Sequence, residues 1–279
     1  MTSPVLSVQL YAVRDGLSTD LDGTLARLAA MGLRDVEAFD FIDKAPALAE
    51  SFAQNGLRAR TGHASLMSEG LELDDPAFAS GKAPAPPTQD TVFEAAKVLG
   101  LEIVIDPFVA PERWLTEEAV LDNALRLNAA AEKAADHGLR VGYHNHAQEF
   151  NASFGGVSAY EFFASKLRDD VVLEVDLYWA ATGGQDITAL LGRVGDKVKA
   201  LHLKDGVIGD NPFRPGAPRM DASTLDQRPA GKGDLPLLDY LAAAPETEYG
   251  VIEFDHYAGG DIFDGIAESV QYFNAHGLS

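Results

Sequence analysis

Eight short apolar runs alternate along this chain with eight amphipathic stretches, several closed by glycine, and that rhythm constrains the fold more than any other feature. The runs are Val5–Tyr11, Asp35–Phe39, Leu57–Gly62, Leu101–Ile105, Arg140–Tyr143, Val171–Val175, Val198–Leu203 and Tyr249–Phe254. Between them the apolar spacing predicts helices over Leu21–Met31, Ala45–Asn55, Thr91–Leu99 and Glu117–His137, then Ala159–Leu167, Ile187–Val194, Leu237–Ala243 and Ile262–His276. Gly32, Gly56, Gly100 and Gly138 follow the first four, and glycine just past a helix supplies the left-handed residue that ends it. Near-continuous Val/Ile/Leu strands separated by helices predict a parallel sheet covered by helices. Eight such units in 279 residues predict an α/β protein with a single (β/α)8 barrel over residues 1–279. The rival is an open, doubly wound sheet. The first strand is not followed by a GxGxxG turn, which weakens a dinucleotide-binding version of it.

Two connections exceed a simple linker: Ala64–Gln89, with the run GKAPAPPTQ, and Lys204–Leu235. Both leave the C-terminal ends of strands, where barrels build their sites, and loops of this length usually act as lids or binding loops. Chemistry-bearing side chains gather at the same ends. Glu37 closes strand 2 and His63 strand 3, while strand 5 runs into YHNHAQEF, with His144, Asn145, His146 and Glu149. Strand 6 presents Glu174 and Asp176, strand 7 His202, Lys204 and Asp205, and strand 8 Glu253, Asp255 and His256. Residues two apart share a face of a strand, which pairs Glu174 with Asp176 and His144 with His146.

A lone His or Asp at a strand end is ordinarily a cap or a solvated loop residue, and Asp205 and Asp255 are left under that reading. Four adjacent strands ending in His, Asp or Glu are different, because converging carboxylates repel unless a cation or proton lies among them. Oxygen-rich ligands with imidazoles suit Mn²⁺, Mg²⁺, Co²⁺ or Zn²⁺, and with no cysteine there is no thiolate site, disulfide or thiol nucleophile.

A net charge of −21 argues against nucleic acid and anionic membranes as partners. The N-terminus lacks a basic segment followed by an apolar core, and no apolar run approaches the ~20 residues that span a bilayer, so a cytoplasmic protein is expected.

The segments YHNHAQEF, LEVDLYWA, LHLKDG and VIEFDHY, with VQLYAVRD at the start and GKGDLP after the long loop, resemble the xylose-isomerase-like TIM-barrel superfamily in its sugar phosphate isomerase/epimerase branch. The likeness runs nearly end to end. It implies one divalent ion, Mn²⁺ first with Mg²⁺, Co²⁺ or Zn²⁺ as alternatives, held by a strand-5 acid, Asp176, His202 and Glu253. Many relatives carry glutamate where this chain has His144, so Glu149 is expected to supply the fourth ligand. That leaves His144 and His146 for proton transfer, with Glu149 and Glu253 as further catalytic groups. Glu37, His63, Asn145, Lys204 and Arg219 are expected to bind substrate. Arg219 and Arg14 are candidates to neutralise a phosphate or carboxylate, and Trp179 and Phe213 to exclude water.

The resemblance implies an isomerase or epimerase acting on a sugar, keto-sugar or polyol through an enediolate. The YHNH variant is also similar to members that eliminate, such as inosose dehydratase and enzymes of 3-keto-glycosides, which makes a lyase the alternative. An endonuclease-IV-like nuclease or a non-catalytic accessory subunit would share the fold, but the acidic charge and the complete set of metal positions oppose them. The expected partner is a small sugar or polyol, with a homo-oligomer left open.

Overall fold

Each apolar run becomes a strand in the computed structural model, which describes residues 3–68 and 87–278. These are β1 Val5–Gln9, β2 Asp35–Ala38, β3 Arg58–His63, β4 Ile103–Asp106, β5 Arg140–His144, β6 Val172–Asp176, β7 Val198–His202 and β8 Tyr249–Ile252. All eight neighbouring pairs are parallel, and β8 pairs with β1, so the sheet closes on itself. The open-sheet rival is thereby excluded, and the chain is a single (β/α)8 barrel.

The outer helices are α1 Leu21–Ala30, α2 Ala45–Asn55, α3 Gln89–Leu99, α4 Glu117–Asp136, α5 Ala159–Lys166, α6 Ile187–Val194, α7 Leu237–Ala243 and α8 Ile262–Ala275. Gly100 ends α3 at φ +74°, where a side chain would be strained. Ser158 and Glu161 form a reciprocal capping box at the start of α5. Short helices at Arg14–Thr19 and Leu177–Thr182 escape the sequence reading, being too short for a 3.6-residue period to show.

Two apolar layers result. One lies between sheet and helices, and a smaller one fills the barrel with Ile103, Ile105, Val172, Ala200, Tyr249 and Val251. Period two then dictates what lies above the inner layer. Two residues beyond Val172, Ala200 and Val251 come Glu174, His202 and Glu253, all turned inward. On β5 the inner position beneath His144 is Gly142, and a Cβ there would meet Val172 Cγ2 at 2.9 Å, so only glycine lets β5 and β6 approach this closely.

Part of the first long loop, 69–86, with most of its proline-rich run, lies outside the described residues. The second loop is organised. Asp205–Gly206 pairs antiparallel with Gln227–Arg228, and the buried Asp205 carboxylate accepts four backbone N–H bonds, from Gly206 (2.8 Å), Leu235 (3.1 Å), Gly231 (2.9 Å) and Gly233 (3.0 Å). Asp205 is structural, as the sequence suggests, but as a buried loop clamp. Among the described residues no helix is long and apolar enough to cross a membrane.

Candidate metal centre and pocket

His144, Asp176 and His202 are the last residues of β5, β6 and β7, and Glu253 follows β8 directly. Register sets Asp176 beside His202 and His202 beside Val251, so parallel pairing delivers these ends to one level. One ligand atom from each of the four lies within 4.8 Å of the others, and all four residues are buried. Asp176 is held twice over. Its Oδ1 caps the helix Leu177–Thr182 by accepting from the Trp179 N–H at 2.8 Å, which aims Oδ2 into the group. That Oδ2 is buried and receives no hydrogen bond, although the Lys204 ammonium lies 3.0 Å away. Lys204 balances its charge, but no hydrogen bond is aimed at its lone pairs, and a metal ion at this point would use them.

A second polar layer lies beneath. Glu174 Oε2 sits 2.7 Å from His63 Nε2, 3.1 Å from His144 Nδ1 and 2.9 Å from His202 Nε2. Glu37 Oε1 lies 2.8 Å from His202 Nε2 and accepts from Gln9 at 2.7 Å. His63, His144, Glu174 and His202 thus form another cluster of ligand-type groups. The two clusters share both imidazoles, and one neutral imidazole offers one N–H and one lone pair. If His144 Nδ1 and His202 Nε2 donate downward to the carboxylates, His144 Nε2 and His202 Nδ1 keep lone pairs for the upper group. Those nitrogens face Asp176 Oδ2 at 3.7 Å and Glu253 Oε2 at 2.7 Å.

Electrostatics sort the same groups. Burial would lower the His63 imidazole, but the Glu37 and Glu174 carboxylates outweigh it and raise its pKa to about 10. His202 is likewise raised against burial by Glu174 and Glu253. Burial holds His144 well below the ordinary value, with the charge of His202 adding to it. His146 is pushed down to about 3 by burial and the Lys204 charge. Burial lifts Asp176 to about 6 against the pull of Lys204.

The remaining expected residues take distinct places. Lys204 is buried and reaches Asp176 (3.0 Å), Glu253 (2.8 Å) and Asp255 (3.0 Å). Asp255 therefore borders the site, where its sequence position alone suggests a cap or a solvated loop residue. Glu149 is in neither ligand cluster. It accepts from the Tyr143 hydroxyl and from the His146 N–H at 3.0 Å, and burial raises its pKa to about 7. Asn145 is turned toward β6, exchanging bonds with the Asp176 backbone at 3.0 and 3.3 Å. Glu37 is fully buried under His202 and does not line the pocket. Glu174, named at the strand end but given no role, is the missed member; its spacing two before Asp176 was the available signal.

A cavity of about 800 Å³ opens over this end of the barrel, lined by His63, His144, His146, Lys204, Glu253 and Asp255 at its base. Tyr11, Phe39, Phe108 and Phe213 wall it, and Arg219 stands at its exposed rim. Arg14 lies over the Tyr11 ring at 4.1 Å and is absent from the lining. Trp179 is wholly buried and packs on Phe213 and His146, so it supports the wall from behind.

The family described as xylose isomerase-like TIM barrel matches residues 25–276. No curated protein matches the sequence. Among solved structures, the chain is similar to a sugar phosphate isomerase/epimerase from Parabacteroides distasonis at 22% identity, covering 99% of this chain and 96% of that one with a TM-score of 0.73. It is similar to the IOLI protein with a binding zinc atom at 15% identity, 97% coverage of each and a TM-score of 0.71. The probable 3-DHS dehydratase AsbF involved in petrobactin synthesis, from Bacillus anthracis, shares 10% identity over 97% of this chain and 98% of that one, with a TM-score of 0.68. At these identities the likeness to solved structures concerns the fold.

Proposed function

The chain belongs to the xylose isomerase-like TIM barrel family, and from that premise we propose that it is a divalent-metal-dependent isomerase or epimerase of a sugar, keto-sugar or polyol. The observation that carries this reading is the convergence of His144, Asp176, His202 and Glu253, four buried residues each with a ligand atom within 4.8 Å of the others. Those four residues would hold the ion, with His144 in the strand-5 place that the sequence reading assigned to Glu149. Two imidazoles and two carboxylates suit Mn²⁺ or Zn²⁺ better than Mg²⁺. When bound, the ion supplies Lewis acidity that makes the C–H beside a sugar carbonyl more acidic.

The protein's own groups do the rest. His146 lines the pocket with a buried Nδ1 that has no partner; burial and the Lys204 charge keep the ring neutral, and it is the group we assign to accepting the proton. Glu149 acts on it indirectly, by fixing the His146 backbone. Lys204 presents its ammonium to a substrate oxygen from a position held by three carboxylates. His63 borders the pocket, and Arg219 at the rim is free to meet a polar substituent.

Elimination is the second reading, favoured by Lys204, a buried ammonium able to protonate a departing hydroxide. Incubation of ion-loaded protein with a panel of keto-sugars in D₂O, followed by NMR, tests both. Solvent deuterium at the carbon next to the carbonyl supports isomerisation or epimerisation, and a product lacking one water supports elimination. An ion-loaded protein inert to the whole panel, or an ion-free protein that turns over equally well, would sink the proposal.

A further inference from the structure

The pocket is too large and too apolar for a sugar alone. Its floor is polar, whereas much of the described wall above is apolar: Phe108, Phe213, Leu115, Pro212, Pro215 and Met220 line it beside a few charged residues. Phe108 leaves 43% of its surface uncovered and Leu115 38%, unusual for large apolar residues bordering a polar site. The rings form a continuous series outward from the candidate ligands. His144 meets His146 at 5.0 Å between centroids, and His146 meets Phe108 at 5.4 Å and Phe213 at 5.6 Å. Phe108 and Phe213 themselves are 6.2 Å apart. A cavity of about 800 Å³ matches sites for ligands of drug size, roughly 300–1,000 Å³. A hexose fills only a fraction of that.

The charges argue against a phosphate as the extra group. Asp40, Glu112, Glu253 and Asp255 all border the cavity. Among its described cations, Lys204 is committed to three carboxylates, and Arg214 lies 3.7 Å from Asp210 and donates to the Asn211 carbonyl. His63 at the floor is paired with Glu37 and Glu174, which leaves Arg219, among the described cations, to face a dianion from the exposed rim.

We propose that the substrate is a sugar or polyol bearing an apolar, ring-containing substituent, with the sugar end at the ligand cluster and the substituent against Phe108 and Phe213. This rests on the functional reading above for its sugar end. The rings supply the rest: their faces and edges accept a flat group by offset or edge-on contact, and the substituent covers apolar surface otherwise left to water.

Calorimetric titration of the ion-loaded protein with 4-nitrophenyl β-D-glucopyranoside, glucose and glucose 6-phosphate tests it. The aryl glycoside should bind about tenfold tighter than glucose, the factor that one well-placed ring contact supplies. Phe108→Ala, at a half-exposed position, should erase most of that advantage, read as the ratio of aryl-glycoside to glucose affinity, and Phe213→Ala should do the same. Tighter binding of glucose 6-phosphate, or an aryl affinity indifferent to both substitutions, would overturn the proposal. Metal content measured on the same samples separates the two ideas. A protein that takes up no ion yet prefers the aryl glycoside refutes the functional reading and supports the subsite, whereas an ion-loaded protein that binds the three probes alike refutes the subsite alone.

Discussion

Glu174 Oε2 lies 3.1 Å from Nδ1 of His144, and this contact leaves the opposite ring nitrogen turned toward Asp176. The same oxygen stands 2.9 Å from His202 Nε2, so one carboxylate beneath the site reaches both candidate imidazole ligands, with Glu37 sharing the hold on His202 at 2.8 Å.

Glu174→Ala should therefore weaken metal binding about 10–100-fold, the usual cost of losing a group that orients a histidine ligand. Glu174→Gln, which retains an acceptor oxygen, should lose less. Competition titration with a chromogenic chelator measures this, and equal affinity in wild type and Glu174→Ala would refute the positioning role.

Asp176→Ala should abolish metal binding and also cost the helix Leu177–Thr182 its cap, worth about 1 kcal/mol. Asp205→Ala should keep a full complement of metal. Its phenotype should be a loosened 204–235 loop, cut faster in limited proteolysis, because four backbone N–H groups, two of them in buried bonds, lose their acceptor. Equal metal content in the two variants would break the assignment.

His146→Gln should lower kcat by about 10²–10⁴-fold while metal content persists, the range expected for a positioned acid–base group. Metal loss in this variant would make His146 a ligand, and wild-type turnover would leave it a wall residue.

Glu149 supplies a pH signature. Burial raises its carboxyl to about 7 from an ordinary value of 4.5, so the native state prefers it protonated. Its stabilising contribution is complete below the unfolded pKa and is lost as pH rises through the folded one. Between pH 4.5 and about 7 this group alone should lower unfolding free energy by up to about 1.4 kcal/mol per pH unit. Glu149→Gln should flatten that slope in urea titrations and keep its metal. A slope unchanged from wild type would show that Glu149 does not titrate in this window.

The eightfold alternation of apolar runs and glycine-ended helices determined the barrel in advance, because a strand covered by helices reads as continuous apolar sequence wherever it lies in the ring. Strand ends at which His, Asp and Glu accumulate were equally legible, since a period of two places Asp176, His202 and Glu253 without any knowledge of their neighbours. What the sequence alone could not decide is which of two strand-5 neighbours faces inward. His144 ends the strand pointing into the barrel, while Glu149 follows a turn and is captured by Tyr143 and the His146 N–H. Only the closed register could set Glu174 under both imidazoles, or bring Phe108 from the β4 end beside Phe213 from the β7 loop. Such contacts join residues 30 and 105 positions apart, and their distances depend on barrel closure, which no local pattern records.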